Sequence, residues 1–219
     1  MTARESDSYV HALRFRWLTP LYDGVVAATT RERTFRAAVL EQAGLRPGQR
    51  VLDLGCGTGT LAIEMASRCP GLQIFGLDGD PEVLARAERK AVRAGVEITW
   101  QHGLATRLPF PDGSFDRAVS TLFFHHLATE DKVSAARELH RVLRPGGQLH
   151  VADWGPPTGH LQRLLFLPVQ WLDGFANTTP QLAGGLTDAF RQAGFEGVQV
   201  TCRIPTPLGT MALHRADRA

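Results

Sequence analysis

The chain has 219 residues, of which 43% are hydrophobic, and its formal net charge is +2. It is long enough to bury one sizeable core, so we expect a single domain, and so small a charge argues against a nucleic-acid-binding surface. Three cysteines without a CxxC pair argue against a disulfide framework or a zinc site, and no run approaches the ~20 apolar residues of a membrane span. We therefore expect a cytoplasmic protein without bound metal or membrane insertion.

The N-terminal part of the chain predicts two helices. Between residues 9 and 22, apolar side chains recur every three or four positions. This favours an amphipathic helix packed on its own domain, and a helix lying on a membrane surface is the alternative. A second helix is predicted over residues 31–42. We assign residues 1–45 to an N-terminal helical cap.

Strand and helix patterns alternate through the middle of the chain. The predicted strands cover 51–54, 72–77, 96–101, 115–121 and 148–153, and the helices between them begin near residues 61, 81 and 129. Strands joined by helix-length crossovers predict a parallel sheet with helices on both faces. We assign residues 46–153 to a cofactor-binding core.

The tail departs from this alternation. Residues 154–180 follow a proline-rich break and are rich in leucine and aromatic side chains, so we assign them to a substrate-side insertion. Residues 181–219 are assigned to a closing helix and strand pair. The patterns predict a helix over 180–193 and strands over 198–203 and 209–214, which we expect to form an antiparallel pair at the end of the sheet.

A glycine turn links the first strand to the next helix. Gly55, Gly57 and Gly59 directly follow the apolar strand, and helix-forming residues come next. A strand, a tight glycine turn and a helix N-terminus are the usual construction of a nucleotide-type cofactor site. An ordinary turn with a capping acid is the structural alternative.

The carboxylate of Asp53 helps to choose the cofactor. A fixed anion beside the turn would repel the pyrophosphate of a dinucleotide, and Thr60 stands where the dinucleotide fingerprint has its third glycine. A ligand with cationic groups would instead be attracted. S-adenosylmethionine carries an ammonium and a sulfonium, so Asp53 favours this cofactor over NAD(P).

Four motifs in order give the chain a family resemblance. They are VLDLGCGTG at 51–59, GLD at 76–78 with PEVL at 81–84, LPFPDGSFD at 108–116, and LRPGG at 143–147. With them the chain resembles the class I S-adenosylmethionine-dependent methyltransferases. It is most similar to their small-molecule branch, typified by the ubiquinone/menaquinone-biosynthesis C-methyltransferases.

The resemblance implies a Rossmann-like, doubly wound sheet of seven strands, mostly parallel with the last strand antiparallel. The cofactor would lie across the carboxyl ends of the first two strands. The backbone of Gly55, Cys56 and Gly57 would contact its methionine portion, and Gly59 would let the helix approach closely. Ser120 would line the methionine end.

The ribose and adenine would be held by the second and third strands. The resemblance implies that Asp78 accepts hydrogen bonds from both ribose hydroxyls, which suits a carboxylate, and a plain helix N-cap is the alternative role. Gly79 offers only backbone, so Val83 is expected to carry more of the adenine contact. Leu104, followed by Ala105, stands where relatives have an acid for the adenine amino group, which predicts weaker cofactor binding.

Two adjacent histidines follow the fourth strand. Either His125 or His126 could act as a general base, because histidine titrates near neutral pH. The alternative is a structural role in the strand-to-helix turn. Methyl transfer is an in-line displacement at an activated carbon, so alignment and exclusion of water matter more than a fixed set of catalytic residues.

The expected substrate pocket is apolar. Its predicted walls are Trp17, Tyr22, Phe124, His125, Phe166 and Trp171, although the apolar members could simply fill the core. The expected function is methyl transfer from S-adenosylmethionine, with S-adenosylhomocysteine as product, to a small hydrophobic or aromatic acceptor, by a monomer or homodimer. The alternatives are an NAD(P)-dependent oxidoreductase and a non-catalytic S-adenosylmethionine-binding protein.

Overall fold

The structure is a computed structural model, and it describes residues 31–219. Its helices are α1 (Glu32–Ala43), α2 (Thr60–Arg68), α3 (Pro81–Ala94), α4 (Thr129–Val142), α5 (His160–Leu165), α6 (Leu167–Asp173), α7 (Phe175–Leu182) and α8 (Gly185–Gln192), with a 3₁₀ turn at Phe124–His126. Its strands are β1 (Arg50–Leu54), β2 (Gln73–Asp78), β3 (Thr99–His102), β4 (Phe115–Thr121), β5 (Leu143–Gly155), β6 (Glu196–Thr206) and β7 (Gly209–Asp217).

The seven strands form one sheet in the order β3-β2-β1-β4-β5-β7-β6. Strands β1 to β5 pair in parallel, and β7 runs antiparallel to both of its neighbours, β5 and β6. The predicted fold class is confirmed. The parallel strands share one carboxyl edge, where open α/β sheets bind their ligands.

Side chains on opposite faces of the sheet enter two separate cores. Leu52 belongs to the core that α4 and α8 cover, and its neighbour Val51 belongs to the core that α1 and α2 cover. Val51 and Leu52 are both fully buried, as expected for a parallel strand covered by helices on both faces. The same alternation places the side chain of Asp53 on the face of Val51.

Local signals explain where α3 begins and ends. Asp80 is its N-cap and accepts hydrogen bonds from the backbone N–H groups of Glu82 and Val83 at 2.8 and 3.4 Å. Pro81 occupies the first turn, and Gly95 ends the helix in the left-handed conformation, with φ of 66°.

The predicted helix over 180–193 is wrong as a single helix. The chain forms α7 and α8 instead, and Gly184, with φ of 95°, stands between them. A Cβ at Gly185 would lie 2.8 Å from the Pro180 carbonyl oxygen, so the sharp turn depends on the glycine pair. The strand predicted over 148–153 also begins earlier, because β5 includes the Pro-Gly-Gly stretch.

Candidate active site

Hydrogen bonds hold the glycine turn against the end of β2. The backbone N–H groups of Gly55 and Cys56 donate to the Leu77 carbonyl at 2.9 and 3.1 Å, and the N–H of Gly57 donates to the Asp78 carboxylate at 2.9 Å. Gly55, Gly57 and Gly59 all have positive φ, at 67°, 53° and 73°, a region that side-chain-bearing residues rarely adopt. The turn therefore has a fixed shape before any ligand binds.

Two aromatic rings explain why the outer glycines cannot carry side chains. A Cβ at Gly55 would lie 2.2 Å from the Phe123 ring, and one at Gly59 would lie 2.5 Å from the Trp100 ring. A Cβ at Gly57 would meet nothing within 4 Å. Open space beside Gly57 fits a ligand that approaches the turn from this side. The sequence did not predict the role of Phe123, because the spacing of residues along the chain does not show that its ring packs against Gly55.

Asp53 is a buried carboxylate beside the glycine turn. It is 1% exposed, and neither of its oxygens has a hydrogen-bond partner of normal geometry within residues 31–219. Burial raises the pKa of Asp53 to about 7, the nearby Asp78 carboxylate adds to the increase, and the backbone of Ala62 opposes it. A cationic ligand group would supply the missing partner, so the residues fit the methionine end of S-adenosylmethionine.

Asp78 keeps acceptor capacity for a ligand. Its two oxygens accept from the backbone N–H groups of Gly57 at 2.9 Å and Asp80 at 3.0 Å, and a carboxylate offers about four lone-pair sites. Burial raises the pKa of Asp78, although these hydrogen bonds oppose the rise. The alternative role as helix N-cap is wrong, because Asp80 caps α3.

The residues expected around adenine divide between surface and core. Leu104 is 39% exposed and Val83 is partly buried, so both side chains are accessible at this edge. Ala105 is 9% exposed and lies in the core, and its expected cofactor contact stays a prediction. The carbonyl of Gly79 lies 3.1 Å from the His102 Nε2, so this backbone group already has a partner.

A lysine that sequence reasoning did not single out holds the glycine turn from α3. The Nζ of Lys90 donates to the side-chain hydroxyls of Thr58 at 3.1 Å and Thr60 at 2.7 Å. These two threonines flank Gly59. In sequence, a lysine on an amphipathic helix is typical of a solvent-facing position, which hid this contact.

Loop 103–113 is held by Arg141 of α4. The guanidinium donates to the carbonyls of Leu108 and Phe110 at 3.0 and 2.8 Å and to the Asp112 carboxylate at 2.7 Å. It also pairs with Glu138, whose Oε2 accepts from the Leu108 N–H at 2.7 Å. The loop that follows β3, which we expect to border the adenine, is therefore fixed to a helix.

Chain direction changes sharply after β4. Leu122 has φ of 52°, one of two non-glycine residues in 31–219 with a positive φ, and its N–H donates to the Ala152 carbonyl at 2.9 Å. Such a conformation is costly for a leucine and is often found at functional sites. The hydroxyl of Ser120, just before this turn, donates to the Leu54 carbonyl at 2.7 Å. The cofactor contact expected for Ser120 stays a prediction.

His125 is bound to a buried aspartate. Its Nδ1 lies 2.7 Å from the Oδ1 of Asp153, at the end of β5, and its backbone N–H donates to the Oδ2 at 3.3 Å. Burial alone would raise the pKa of Asp153, but the charge and hydrogen bond of His125 and the Trp154 N–H leave it lowered. The neighbouring His126 ring stands 3.9 Å away, centre to centre, and burial lowers the His126 pKa well below its ordinary value.

The aromatic residues predicted to wall a pocket divide between core and surface. Phe124 is fully buried and packs edge-on against Phe190, and Phe166 packs against Trp154. Phe124 and Phe166 therefore fill the core, and their assignment to a pocket wall is wrong. Trp171 is 69% exposed and accessible. Trp17 and Tyr22 lie outside the described residues.

Metal-ligating side chains do not gather within residues 31–219. In that range, no cluster of three or more His, Cys, Asp or Glu side chains could hold a metal ion. Among the helices of the same residues, none has both the length and the apolar character needed to cross a membrane.

Comparison with known proteins agrees with this geometry. Residues 51–147 match a family model described as a methyltransferase domain. The chain is 37% identical to a demethylmenaquinone methyltransferase of Thermus thermophilus over 65% of each protein, so this alignment spans less than two thirds of the relative. It is 29% identical to the enzyme of the same name from Geobacillus kaustophilus, over 96% of this chain and 97% of that one.

Solved structures share the fold. The [4+2]-cyclase SpnF matches 76% of this chain and 58% of its own, with 29% identity and a TM-score of 0.61. The sequence motifs, the order of strands in the sheet and the similar proteins all agree on the protein family. Together they support a class I S-adenosylmethionine-dependent methyltransferase.

Proposed function

We propose that the protein transfers a methyl group from S-adenosylmethionine to a small hydrophobic or aromatic acceptor. The observation that carries this proposal is the Asp53 carboxylate, which is buried beside the glycine turn and has no hydrogen-bond partner for either oxygen among residues 31–219. A buried polar group without a hydrogen bond is costly. A bound cation compensates this cost, whereas a pyrophosphate would increase it.

The residues present suit the parts of this donor. Asp53 would face its cationic methionine end, the open side of Gly57 would allow close approach of the backbone, and Asp78 would accept from ribose hydroxyls. When bound, the donor supplies a methyl carbon made electrophilic by the sulfonium. The protein then has to align the acceptor with that carbon and exclude water.

The proposed acceptor class rests on apolar side chains beyond β5. Leu164, Leu167, Trp171 and Phe175 are all exposed on α5, α6 and α7. Two relatives are named for methylating demethylmenaquinone, a hydrophobic quinone-type compound by its name. We therefore expect a quinone-like or phenolic acceptor in preference to a hydrophilic amine.

Similarity of fold alone does not identify the reaction, because the SpnF structure is described as a [4+2]-cyclase.

Titration calorimetry with S-adenosylmethionine, S-adenosylhomocysteine and NAD tests which donor or cofactor the protein binds. Binding of the first two and not of NAD is expected. Binding of NAD alone would support an oxidoreductase.

Labelled-methyl transfer to a panel of hydroquinones, phenols, thiols and amines then tests the reaction. Transfer to at least one aromatic acceptor is expected, with Asp53→Asn as the impaired control. Tight donor binding without transfer to any acceptor would indicate a binding protein that keeps the fold.

A further inference from the structure

Helix α7 buries polar side chains and exposes an aromatic one. Thr178 and Gln181, about one helical turn apart, are 1% and 2% exposed, whereas Phe175 is 50% exposed. A surface helix of a globular protein normally has the opposite arrangement, with its apolar stripe toward the core. Because buried polar groups are costly unless they are hydrogen-bonded, each polar atom on this inner face needs a partner.

Hydrogen bonds to other residues hold this inner face. The Oγ1 of Thr178 accepts from the Nε2 of Gln170 at 3.2 Å, and the Nε2 of Gln181 donates to the Trp154 carbonyl at 3.1 Å. The contact with a carbonyl identifies the two ends of the Gln181 amide, because the reversed amide would place two acceptors together. Its Oε1 is buried and has no hydrogen-bond partner within residues 31–219.

The contact with Trp154 places this amide at the carboxyl edge of the sheet. Strand β4 ends beside Ala152, and β5 continues beyond it. The Ala152 carbonyl accepts from the N–H of Leu122, so its main chain faces the β4 side. Main-chain groups of alternate residues in a strand point the same way, so those of Trp154 face the space beyond the end of β4. Gln181 therefore lies where open α/β sheets bind their ligands.

A buried acceptor atom without a donor favours a ligand that supplies one. An O–H or N–H group that reaches the Oε1 of Gln181 removes the cost of the unpaired oxygen. A ligand of the same shape without that hydrogen leaves the oxygen unpaired and binds less tightly. The side chain has no charge, so it selects by hydrogen bonding.

We propose that Gln181 determines acceptor specificity, because its Oε1 accepts a hydrogen bond from a hydroxyl group of an aromatic methyl acceptor. This inference rests on the proposed function, since it assigns a contact to the acceptor of that reaction. The hydroxyl keeps its proton in this contact. Aromatic compounds that carry a hydroxyl are therefore favoured over those in which a methyl ether replaces it.

The acceptor reaches this oxygen when α7 shifts. Gly174 before the helix and Gly184 after it have φ of 91° and 95°, in the region that favours glycine. Pro180, inside the helix, has no N–H group to donate to the preceding turn. Residues at the ends of an element that absorb changes in main-chain angles are typical of hinges.

The test measures binding, which does not require turnover. The full chain is saturated with S-adenosylhomocysteine, and calorimetry gives dissociation constants for 1-naphthol and 1-methoxynaphthalene, of which only the first has a hydroxyl hydrogen. We expect the wild type to bind 1-naphthol about tenfold more tightly, as one net hydrogen bond provides. In Gln181→Leu, which removes the amide, this preference should disappear. The affinity for S-adenosylhomocysteine should stay unchanged, which would establish that the donor site is intact.

A structural role would instead use the contact between Gln181 and the Trp154 carbonyl, and two further variants separate the roles. Gln181→Glu keeps an acceptor oxygen and should keep the preference for 1-naphthol. Gln170→Leu is the matched control, since Gln170 is also buried and donates within α6 and α7 to the Thr178 and Thr179 hydroxyls. It should weaken binding of both compounds equally and leave the preference unchanged.

Three results would overturn the proposal. They are a wild type without preference, a Gln181→Leu variant that keeps it, and a Gln170→Leu variant that loses it as Gln181→Leu does. Failure of the proposed function has a different signature. If the wild type methylates aromatic acceptors without preferring 1-naphthol, methyl transfer stands and the role of Gln181 falls. If 1-naphthol binds through Gln181 but no acceptor is methylated, the ligand contact stands and the proposed function falls.

Discussion

The Asp78 carboxylate accepts a hydrogen bond from the Gly57 backbone N–H at 2.9 Å. The acid that ends β2 therefore holds the middle of the turn that follows β1. Asp78 thus fixes the shape of the turn, and it is also the residue that we expect to accept from the ribose. The site can be tested through each of these contacts.

Asp78→Asn should weaken S-adenosylhomocysteine binding by about tenfold or more, equivalent to about 1.4 kcal/mol. The amide replaces one acceptor oxygen by a donor, and it cannot accept from both Gly57 and Asp80. Calorimetry measures the change. Asp80→Asn is the matched control, because asparagine is also a good N-cap. Equal effects of the two substitutions would argue against a ribose contact.

Asp53→Asn should change stability and binding in opposite directions. Removing an uncompensated buried charge should raise the melting temperature of the ligand-free protein near pH 8, while loss of the anion should weaken binding of S-adenosylmethionine. Thermal unfolding with and without the donor measures both effects. A variant that is less stable and binds normally would show that Asp53 is structural.

Stability should also depend on pH through Asp53. Its pKa is raised to about 7 in the folded protein, so the folded state keeps this proton after the unfolded chain has lost it. The contribution of the group to stability is therefore complete at low pH and is lost as pH rises from about 4 to about 7. The difference between wild type and Asp53→Asn, followed by urea unfolding across this range, isolates the effect. A constant difference would contradict it.

Gly55→Ala should destabilise the protein and impair donor binding, because the methyl group would overlap Phe123 and φ is 67°. Phe123→Ala in the same chain should restore part of the loss, and a double-mutant cycle measures this coupling. Gly57→Ala separates the two causes, since it meets only the φ penalty. Additive effects of Gly55→Ala and Phe123→Ala would refute the contact.

Leu104→Asp should tighten binding of S-adenosylhomocysteine several-fold, by roughly 0.5–1.5 kcal/mol for one added hydrogen bond. The side chain is 39% exposed, so the substitution should not disturb the core. Leu104→Asn separates the hydrogen bond from the added charge. Unchanged affinity in both variants would mean that the adenine amino group has another acceptor.

The sequence was most informative where backbone geometry and function coincide. Positive φ at Gly55 and an acid at the end of β2 leave direct signatures in residue type, so the turn, Asp78 and the sheet class were predictable. Apolar runs also located most strands. Such motifs specify the backbone conformation, and the backbone forms most of the proposed donor site.

The rest depended on side chains that meet across the fold. Nothing in the spacing of Phe123, Lys90 or Asp153 shows that they contact Gly55, Thr58 and His125. The apolar patterns of Phe124 and Phe166 could not distinguish a core from a pocket, and both are core. These contacts depend on which strands are neighbours and on how far each side chain reaches.

Arg141 holds one part of the candidate site and makes no such contact with the described part of residues 156–183. Through Leu108, Phe110 and Asp112 it fixes loop 103–113, which we expect to border the adenine, to α4. Substitutions between residues 156 and 183 would leave that loop and its contacts with Arg141 unchanged. An ancestor with this architecture could exchange one acceptor for another without re-evolving recognition of the donor, and a protein engineer could follow the same route.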